Sequence, residues 1–531
     1  MQDVLIIGGG HNGLTCAYYL AKKGLKVAIL EAADKVGGAA VTDEFHPGFR
    51  NSAASYTVSL LQPKVIRDME LERHGLKVVL RKIDNFLPGP NRSYLLSGRG
   101  GLTRSEIARH VPADGAAYDR YSQELETVVP LIRKWILKAP PQAGAGIKGL
   151  PALASLGRDL IGLSTDEVRI VHEFATKSAG DILDRFFEGD LVKALFAFDG
   201  IVGNFASPYT PGTAYVLLHH LFGEAAGVPG AWGHAIGGMG SITQAMASAC
   251  REAGVDIVLN APVSEVIVDK GCAVGAVTQG KSWRAPTIVA NVNPKLLFTQ
   301  LVPRGAVSVP VERHFANWGC ESATFRMNVA IDKLPNFTAL PGRGDHLTAG
   351  IIIAPSMDYM HRAFAEAALT GWTKAPVVEM LIPSTLDPGL APKGKHVASL
   401  FCQHFRYKLP DGRNWDDERE AAADAILATV EAHAPGFAKS VVARQIHSPL
   451  DLERRFGLIG GDIFHGKMGS DQLFSARPMI GAADYRLPLP GLYLCGSGAH
   501  PGGGVTGAPG HNAARAILAD VGPRFLKRRR A

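Results

Sequence analysis

The sequence predicts an α/β fold with a parallel central sheet, because buried strands alternate with helices at the N-terminus and again near residues 242–291 and 491–518. The first strand is predicted at Val4–Ile7, an unbroken apolar run that is typical of a strand buried on both faces. A helix over residues 14–23 follows, and Val27–Leu30 is a second buried strand. This order of elements is that of a βαβ unit.

The loop between the first strand and the first helix has the glycine spacing of a dinucleotide-binding site. Gly8, Gly10 and Gly13 form G-x-G-x-x-G. In this motif the first glycine permits a tight turn, the second lets the backbone approach a pyrophosphate, and the third lets the helix pack on the strand. Glu31 closes the second strand, where a carboxylate can accept hydrogen bonds from a ribose diol. Together these features predict dinucleotide binding, with the pyrophosphate at the helix N-terminus.

Other glycine-rich and small-residue segments are predicted to contact the same cofactor. Gly37 and Gly38 follow the acid and would let the backbone pass close to it. Residues 48–56 are small and polar, which fits either the lining of a flat ring or a surface loop. Residues 502–507 repeat the glycine spacing, but no strand directly precedes them. We therefore predict a terminal helix there whose N-terminal end points at the cofactor ring.

The chain leaves its nucleotide fold and later returns to it, which predicts a discontinuous domain with an inserted α+β substrate or lid domain. The predicted nucleotide-binding domain comprises residues 1–81, 231–294 and 481–531, and the inserted domain comprises residues 82–230 and 295–480.

Residues 147–163 of the first insertion are rich in leucine and are predicted to pack in the core of a largely helical lobe. Leu150, Leu153, Leu156 and Leu160 supply the apolar side chains. Contact with a bilayer surface is the alternative.

Composition bounds the function further. The chain has 531 residues, 46% hydrophobic and 20% charged, which is ordinary for a globular enzyme of two or three lobes. Its six cysteines contain no Cys-x-x-Cys pair, which argues for a reducing compartment and against a zinc site or a redox-active disulfide, so no metal is expected.

Location is predicted from the apolar and basic segments. The first strand begins so near Met1 that no signal peptide is expected, and no apolar run reaches about 18 residues, so we expect a cytoplasmic protein without a membrane span. The net charge of +7 comes partly from Arg524 and residues 527–530. A solvated basic tail is the first interpretation, and peripheral contact with anionic lipid on the inner membrane face is the second.

The motifs, taken in order, resemble those of the amine oxidase and phytoene desaturase superfamily over the whole length. The first glycine loop, Glu31 and the Gly37-Gly38 pair are similar to its FAD fingerprint. Residues 237–240, 261–263 and 290–294 are similar to middle motifs of phytoene desaturases and retinol saturases. The resemblance implies a two-domain fold with noncovalent FAD. It also implies cofactor contacts at Gly8, Gly10, Gly13, Glu31, Gly37, Gly38, Val263, Gly498, Val505 and Thr506.

The function expected from this resemblance is hydride transfer between FAD N5 and a carbon of an apolar, elongated substrate. The partners are then a small apolar molecule and a separate electron acceptor, with no nucleic acid. Candidate acid or base residues are His500 and His465, together with Asp462 and Arg477, and structural hydrogen bonding is the alternative for each. Cys495 is expected to be a buried strand residue and not a flavin tether.

Three other functions remain open from the sequence. The first is redox-neutral isomerisation of a polyene, as in related carotene isomerases that need reduced FAD. The second is a flavin-stabilised binding or regulatory protein. The third, and weakest, is a nicotinamide dehydrogenase, because cofactor-facing segments at both ends of the chain suit a long FAD better than NAD.

Overall fold

The computed structural model describes residues 2–142 and 146–530, apart from the side chains of Lys148 and residues 522–530. The strands in these ranges are β1 Val4–Ile7, β2 Val27–Leu30, β3 Thr42–His46, β4 Phe49–Ser52, β5 Val78–Leu80, β6 Asn85–Pro88, β7 Tyr94–Ser97, β8 Glu224–Ala225, β9 Val228–Pro229, β10 Gly233–Ala235, β11 Asp256–Val258, β12 Val263–Asp269, β13 Cys272–Thr278, β14 Lys281–Arg284, β15 Thr287–Ala290, β16 Thr324–Ile331, β17 Gly350–Ile353, β18 Val377–Leu381, β19 His396–Gln403, β20 Val441–His447 and β21 Leu492–Leu494.

The α-helices connect these strands and form a separate lobe. They are α1 His11–Ala21, α2 Pro63–Asp68, α3 Leu102–His110, α4 Pro112–Ile136, α5 Leu150–Ile161, α6 Thr165–Thr176, α7 Ala179–Phe186, α8 Asp190–Ile201, α9 Thr213–His219, α10 Gly240–Glu252, α11 Pro294–Leu296, α12 Val309–Ala316, α13 Met357–Thr370, α14 Trp415–His433, α15 Phe437–Ser440, α16 Pro449–Phe456 and α17 Ala508–Arg530.

The central sheet has five parallel strands in the order β11-β2-β1-β15-β21, as the α/β prediction requires. Strands β1, β2 and β15 are buried along their whole length, because helices cover the sheet and leave no face to solvent. Helix α1 packs against both α10 and α17, so the first and last helices of the chain share one core. The sheet therefore draws its strands from three separated parts of the chain.

A second sheet of seven strands has the order β20-β16-β19-β18-β17-β6-β7. It combines β6 and β7 from the first predicted insertion with five strands from the second, so the two insertions form one structure. One face packs against α14 around Phe325, Met327 and Ile426. The other face carries Arg326, Ser399 and Phe401, which alternate along β16 and β19 with the residues of the first face. The numerical domain boundaries stay a prediction.

Helices α3 to α9 form the predicted helical lobe, around a core that includes Phe174, Phe187 and Phe198. Helix α6 begins with a capping box, in which the Ser164 side chain accepts from the backbone N–H of Glu167. Helix α5, all of whose residues are described, is the exception in this lobe, because none of them is buried. The prediction that the leucines of residues 147–163 pack in the core is therefore wrong for this helix.

Candidate functional site

A cavity of about 750 Å³ lies between the carboxyl ends of the parallel strands and the seven-stranded sheet. Open α/β sheets bind ligands at this end of their strands. One side, here named the backbone wall, is formed by Gly8, Gly10, Glu31, Gly37, Gly38, Val263, Gly504 and Val505. A second set of lining residues, named the side-chain wall, comprises Tyr56, His219, Phe401, Phe464 and His465.

The glycine loop leaves no room for side chains. A Cβ added at Gly13 would lie 2.3 Å from the carbonyl oxygen of Gly8, so the helix approaches the turn as closely as the motif requires. Gly8 has φ +98°, which favours glycine. Gly10 is the N-cap of α1 and provides no side-chain cap, so the N–H groups of the first turn are available to an anion. Gly13 itself lies behind the cavity lining, whereas Gly8 and Gly10 line it.

Glu31 connects the end of β2 to this loop. Its Oε2 accepts from the backbone N–H of Gly9 at 2.6 Å, and its Oε1 accepts from that of Ala33 at 2.9 Å. Burial raises the pKa of Glu31, and the backbone hydrogen bonds oppose that shift. Each carboxylate oxygen keeps a second lone pair, and the residue faces the cavity, so both oxygens can also accept from ribose hydroxyls.

The glycine pair beyond Glu31 continues the backbone wall. Gly37 donates its N–H to the carbonyl of Gly9 at 3.0 Å, and its φ is +134°. A Cβ on Gly37 would lie 2.7 Å from a methyl group of Val41, so only glycine fits. Gly38 and Val263 line the same end of the cavity.

The other end of the backbone wall is built from the C-terminal glycine segment. Gly504 and Val505 line the cavity just before α17 begins, so the predicted terminal helix is present, and the contact of its N-terminal end with a cofactor ring stays a prediction. Gly498 and Thr506 lie behind the lining. A Cβ on Gly498 would meet Cδ of Pro294 at 2.4 Å, and the Thr506 hydroxyl accepts from the N–H of Ala508 at 3.0 Å. Both residues therefore support the lining segment.

Three histidines that line the cavity each have one buried ring nitrogen without a partner among the described residues: His11 Nε2, His219 Nδ1 and His465 Nδ1. Burial lowers the pKa of His11 and His219 to about 3 and that of His465 to about 4. All three are therefore neutral near pH 7, and such an unpaired nitrogen can bond to a ligand.

His219 is the one whose protonation can be assigned from its contacts. Its Nε2 lies 3.2 Å from the carbonyl oxygen of Gly503. A carbonyl can only accept, so the ring proton lies on Nε2 and Nδ1 carries a lone pair. Sequence reasoning missed His219, because its helix belongs to the insertion and only the fold brings it to the glycine segment at residues 503–505.

Arg477 and Asp462 organise the loops beside His465. The buried Arg477 guanidinium donates to five backbone carbonyls, those of Phe464, Gly466, Lys467, Gln472 and Ser497. Asp462 accepts from the N–H groups of Phe464 and Gly466, and burial raises its pKa to about 6. Neither side chain lines the cavity, so both hold the segment that carries His465.

His500 lies away from the cavity lining. Its Nε2 is 3.2 Å from the carbonyl oxygen of Trp135, and its ring packs edge-on against Phe474. Burial lowers its pKa to about 4. These contacts fit the structural alternative for His500, whereas His465 faces the cavity.

The far end of the side-chain wall is aromatic and rests on a buried charged cluster. The rings of Tyr56 and Phe401 stack at 4.9 Å, and the guanidinium of Arg326 lies 4.5 Å from the Tyr56 ring centroid. Burial lowers the pKa of Arg326 to about 10, and its Nη2 donates to Ser399 at 2.7 Å. The Tyr56 hydroxyl donates to Glu379, a buried carboxyl whose pKa is raised by burial.

These residues fit a dinucleotide whose second half extends to the side-chain wall. The cradle left by the glycines, the free N-terminus of α1 and the remaining lone pairs of Glu31 account for pyrophosphate and ribose. The cavity continues past them to Val505 and Tyr56. Within the described part of the chain, no group of residues could hold a metal ion.

Comparison with known proteins agrees with this geometry. Residues 13–325 match the model of the family described as flavin containing amine oxidoreductase, and the chain belongs to that family. It is an FAD-dependent oxidoreductase, and its fold is the FAD-binding fold of that family.

The relatives cover nearly the whole chain. Pyridine nucleotide-disulfide oxidoreductase domain-containing protein 2 of Rattus norvegicus is 39% identical, over 98% of this chain and 94% of its own. One of the limonene dehydrogenase polypeptides of Castellaniella defragrans is 25% identical, over 98% and 95%. A solved structure of a putrescine oxidase triple mutant superposes with a TM-score of 0.62 at 16% identity, over 98% of this chain and 99% of that one.

The cysteines and the helices carry two further findings. All six cysteines are free, although Cys16 and Cys495 are neighbours in the core, where burial and the Cys495 side chain raise the pKa of Cys16. Among the helices that are described, none has the length and apolar character to cross a bilayer. The basic side chains of residues 524–530 lie outside the described side chains.

Proposed function

We propose that this oxidoreductase binds FAD noncovalently and transfers a hydride between the flavin and a carbon of an apolar, elongated substrate. One observation carries the proposal: the cavity that begins at Glu31 continues, without a break, into a region lined by apolar side chains. They are Leu60, Val202, Trp232, Phe401, Ile463 and Phe464. Limonene, the substrate in the name of one relative, is an apolar alkene.

Noncovalent binding is supported by the position of the cysteines. Among the described residues that line the cavity there is no cysteine, and Cys495 is fully buried beside Cys16 in the core. Acid denaturation of the purified protein should therefore release free FAD into the supernatant. Colour that stays with the precipitate would contradict this part of the proposal.

Bound FAD supplies a hydride acceptor or donor at its N5 atom. The residues of the chain must then orient the substrate carbon and exclude water. Apolar side chains at the far end of the cavity exclude water. The stacked rings of Tyr56 and Phe401 offer a flat, rigid surface that can orient the substrate, because Arg326 and Glu379 both contact Tyr56 and hold it in place.

We propose that His219 accepts a hydrogen bond from a polar or acidic hydrogen of the substrate. Its Nδ1 lone pair has no partner among the described residues, and its ring contacts the glycine segment of the backbone wall, with Cε1 3.1 Å from the position of a Cβ on Gly504. When the substrate is oxidised, a hydride leaves one carbon and a proton leaves its neighbour or a heteroatom. His219 would accept that proton, although a pKa of about 3 makes it a weak base.

The weak basicity of these histidines also favours a second candidate, redox-neutral isomerisation of a polyene. Such a reaction leaves the substrate at the same oxidation level, so it needs neither a net proton acceptor nor an electron acceptor. His11, His219 and His465 are all neutral and weakly basic, which suits that case.

Anaerobic flavin reduction tests the proposal. The holoenzyme is mixed with a panel of lipophilic alkenes, alcohols and amines, and the oxidised-flavin absorption band is followed. Bleaching by an apolar compound is the expected result. Because the isomerase reaction needs reduced FAD, a second sample is reduced with dithionite before the compounds are added. Rearranged product in that sample, without consumption of an acceptor, would favour the isomerase. No bleaching in the first sample and no product in either would overturn both.

His219→Leu separates a role at the cavity from a role in folding. His404 is its matched control, since its Nε2 lies 3.0 Å from the carbonyl oxygen of Ala206, its Nδ1 also lacks a partner within the described chain, and its pKa is lowered to about 4. His404 does not line the cavity. We expect His219→Leu to slow flavin reduction at least about tenfold while His404→Leu leaves it unchanged. Equal rates in the two variants would remove His219 from the reaction.

A further inference from the structure

Helix α5 is amphipathic with its apolar side turned outward. The side chains of Leu153 and Ile161 are 50% and 85% exposed, Leu150 is 56% exposed, and Ile147, one turn before the helix, is 85% exposed. Positions 150, 153 and 161 lie on one face of a helix, with Gly157 between the last two, so Leu150, Leu153 and Ile161 form one stripe. We name it the α5 stripe. In a protein that only faces water, such a helix would turn this stripe inward.

The opposite side of α5 is polar and fixed to the lobe. The side chain of Asp159 is 4% exposed and pairs with Lys134 and Lys138 of the α4 region, and it accepts from the indole N–H of Trp135 at 3.1 Å. Lys138 also donates to Ser155 at 3.1 Å. These contacts fix the orientation of the helix, so the outward stripe is built into the fold.

The surroundings of the stripe are basic. Arg158 of α5 is exposed, as are about half of the Lys134 side chain and Arg515 of α17. Arg515 lines the same 540 Å³ cavity as Pro151 and Leu156, so the first turns of α17 and helix α5 border one cavity. The sequence continues α17 with Arg524 and residues 527–530, which contain no acidic residue.

We propose that the α5 stripe docks on an anionic lipid surface. An apolar stripe buries in the acyl boundary, and flanking Lys and Arg side chains gain from anionic headgroups. The apolar stripe and the basic flank together give stable reversible membrane binding, whereas either one alone gives only marginal binding. A second copy of this chain would not use the positive flank, because like charges would meet across the contact. The inference is independent of the proposed reaction.

Vesicle flotation of the full-length holoprotein tests this docking. The probes are vesicles of phosphatidylcholine alone and vesicles in which about one third of the lipid is phosphatidylglycerol. Wild-type protein should float with the anionic vesicles, bind at least about tenfold less to the neutral ones, and dissociate as salt is raised above about 0.5 M. Failure to float with anionic vesicles overturns the proposal.

Two double variants locate the contact. Leu153→Asp with Ile161→Asp changes the α5 stripe, and Leu369→Asp with Ile480→Asp adds the same charge at side chains that are 80% and 63% exposed elsewhere. We expect the first variant to lose at least about tenfold in vesicle binding. We expect the second variant to lose only the smaller amount that two added negative charges cost. Equal losses would overturn the assignment to α5. Bound-flavin absorbance checks that each variant is folded.

Light scattering without vesicles distinguishes a contact between copies. The expected result is the same oligomeric mass for wild type and the α5 variant. A wild-type dimer that the α5 variant alone converts to a monomer would overturn the lipid assignment and give the stripe to a second copy of the chain.

Discussion

The two sides of the cavity are built differently. The backbone wall uses glycines, main-chain N–H groups and one carboxylate, and a side chain added at Gly13 or Gly37 would collide within 3 Å. The side-chain wall uses the rings of Tyr56, His219 and Phe401, which come from three distant segments. The comparison shows that the part of a site that grips a common cofactor can be rigid and local, while the part that selects a substrate is assembled by the tertiary fold.

The largest expected effect is on the backbone wall. Gly13→Val would place its Cβ 2.3 Å from the Gly8 carbonyl oxygen, which belongs to backbone that cannot move aside. We therefore expect the free energy of unfolding to fall by about 3 kcal/mol or more and FAD to be retained about 100-fold more weakly. Flavin absorbance per mole of purified protein measures it. Gly157→Ala is the control, because a Cβ at Gly157 meets no described atom within 4 Å. Full flavin content in Gly13→Val would mean that the loop tolerates side chains.

Acid should destabilise the protein by protonating its buried histidines, three of which lie in the side-chain wall or next to it. Burial lowers the pKa of His219 to about 3 and that of His220 and His465 to about 4, against about 6.5 unfolded. The unfolded chain therefore binds more protons than the folded chain in this pH range, and stability is lost as pH falls from about 6.5 toward 4. Each such histidine costs up to about 2 kcal/mol at pH 5.

Buried carboxyls have the opposite sign. Burial raises the pKa of Asp462 to about 6, so it contributes stability at low pH that is lost as pH rises through 6, and burial also raises the pKa of Glu31, Asp84, Asp199 and Glu379. Ten histidines of the described chain have a lowered pKa, twice the number of these carboxyls, so Tm should fall steadily between pH 7 and pH 5. His404→Leu should make that fall shallower, since it removes one buried histidine away from the cavity. A flat Tm across this range would contradict the prediction.

The smallest expected effect is at the support of the aromatic end. Tyr56→Phe keeps the stack on Phe401 and removes the hydroxyl that donates to the buried Glu379, which should cost about 1–2 kcal/mol in the free energy of unfolding and leave FAD retention unchanged. Tyr209→Phe is the control, because its hydroxyl donates to Asp184 at 3.2 Å on the surface and should cost less than about 0.5 kcal/mol. Chemical denaturation of both variants measures the difference, and equal costs would contradict the buried-support interpretation.

Sequence alone determined the nucleotide half of this protein. The strand Val4–Ile7, the glycine loop, Glu31 and the helix that begins after Val505 could all be predicted, because a tight turn, a buried parallel strand and a pyrophosphate cradle impose local residue patterns. Gly498 and Thr506 were predicted as cofactor contacts, and the structure puts both one layer behind the cavity lining.

Only the tertiary structure decided the rest. Phe401 and Arg326 contact Tyr56, and His219 contacts Gly503, across large sequence separations, and no local pattern marks such neighbours. The same holds for Cys16 beside Cys495, whose spacing in sequence gave no sign of a pair. Helix α5 has the leucine pattern of a core helix, and its outward orientation follows from Asp159 pairing with Lys134 and Lys138. Periodicity shows that a helix has an apolar face, but what that face touches depends on where the fold places its neighbours.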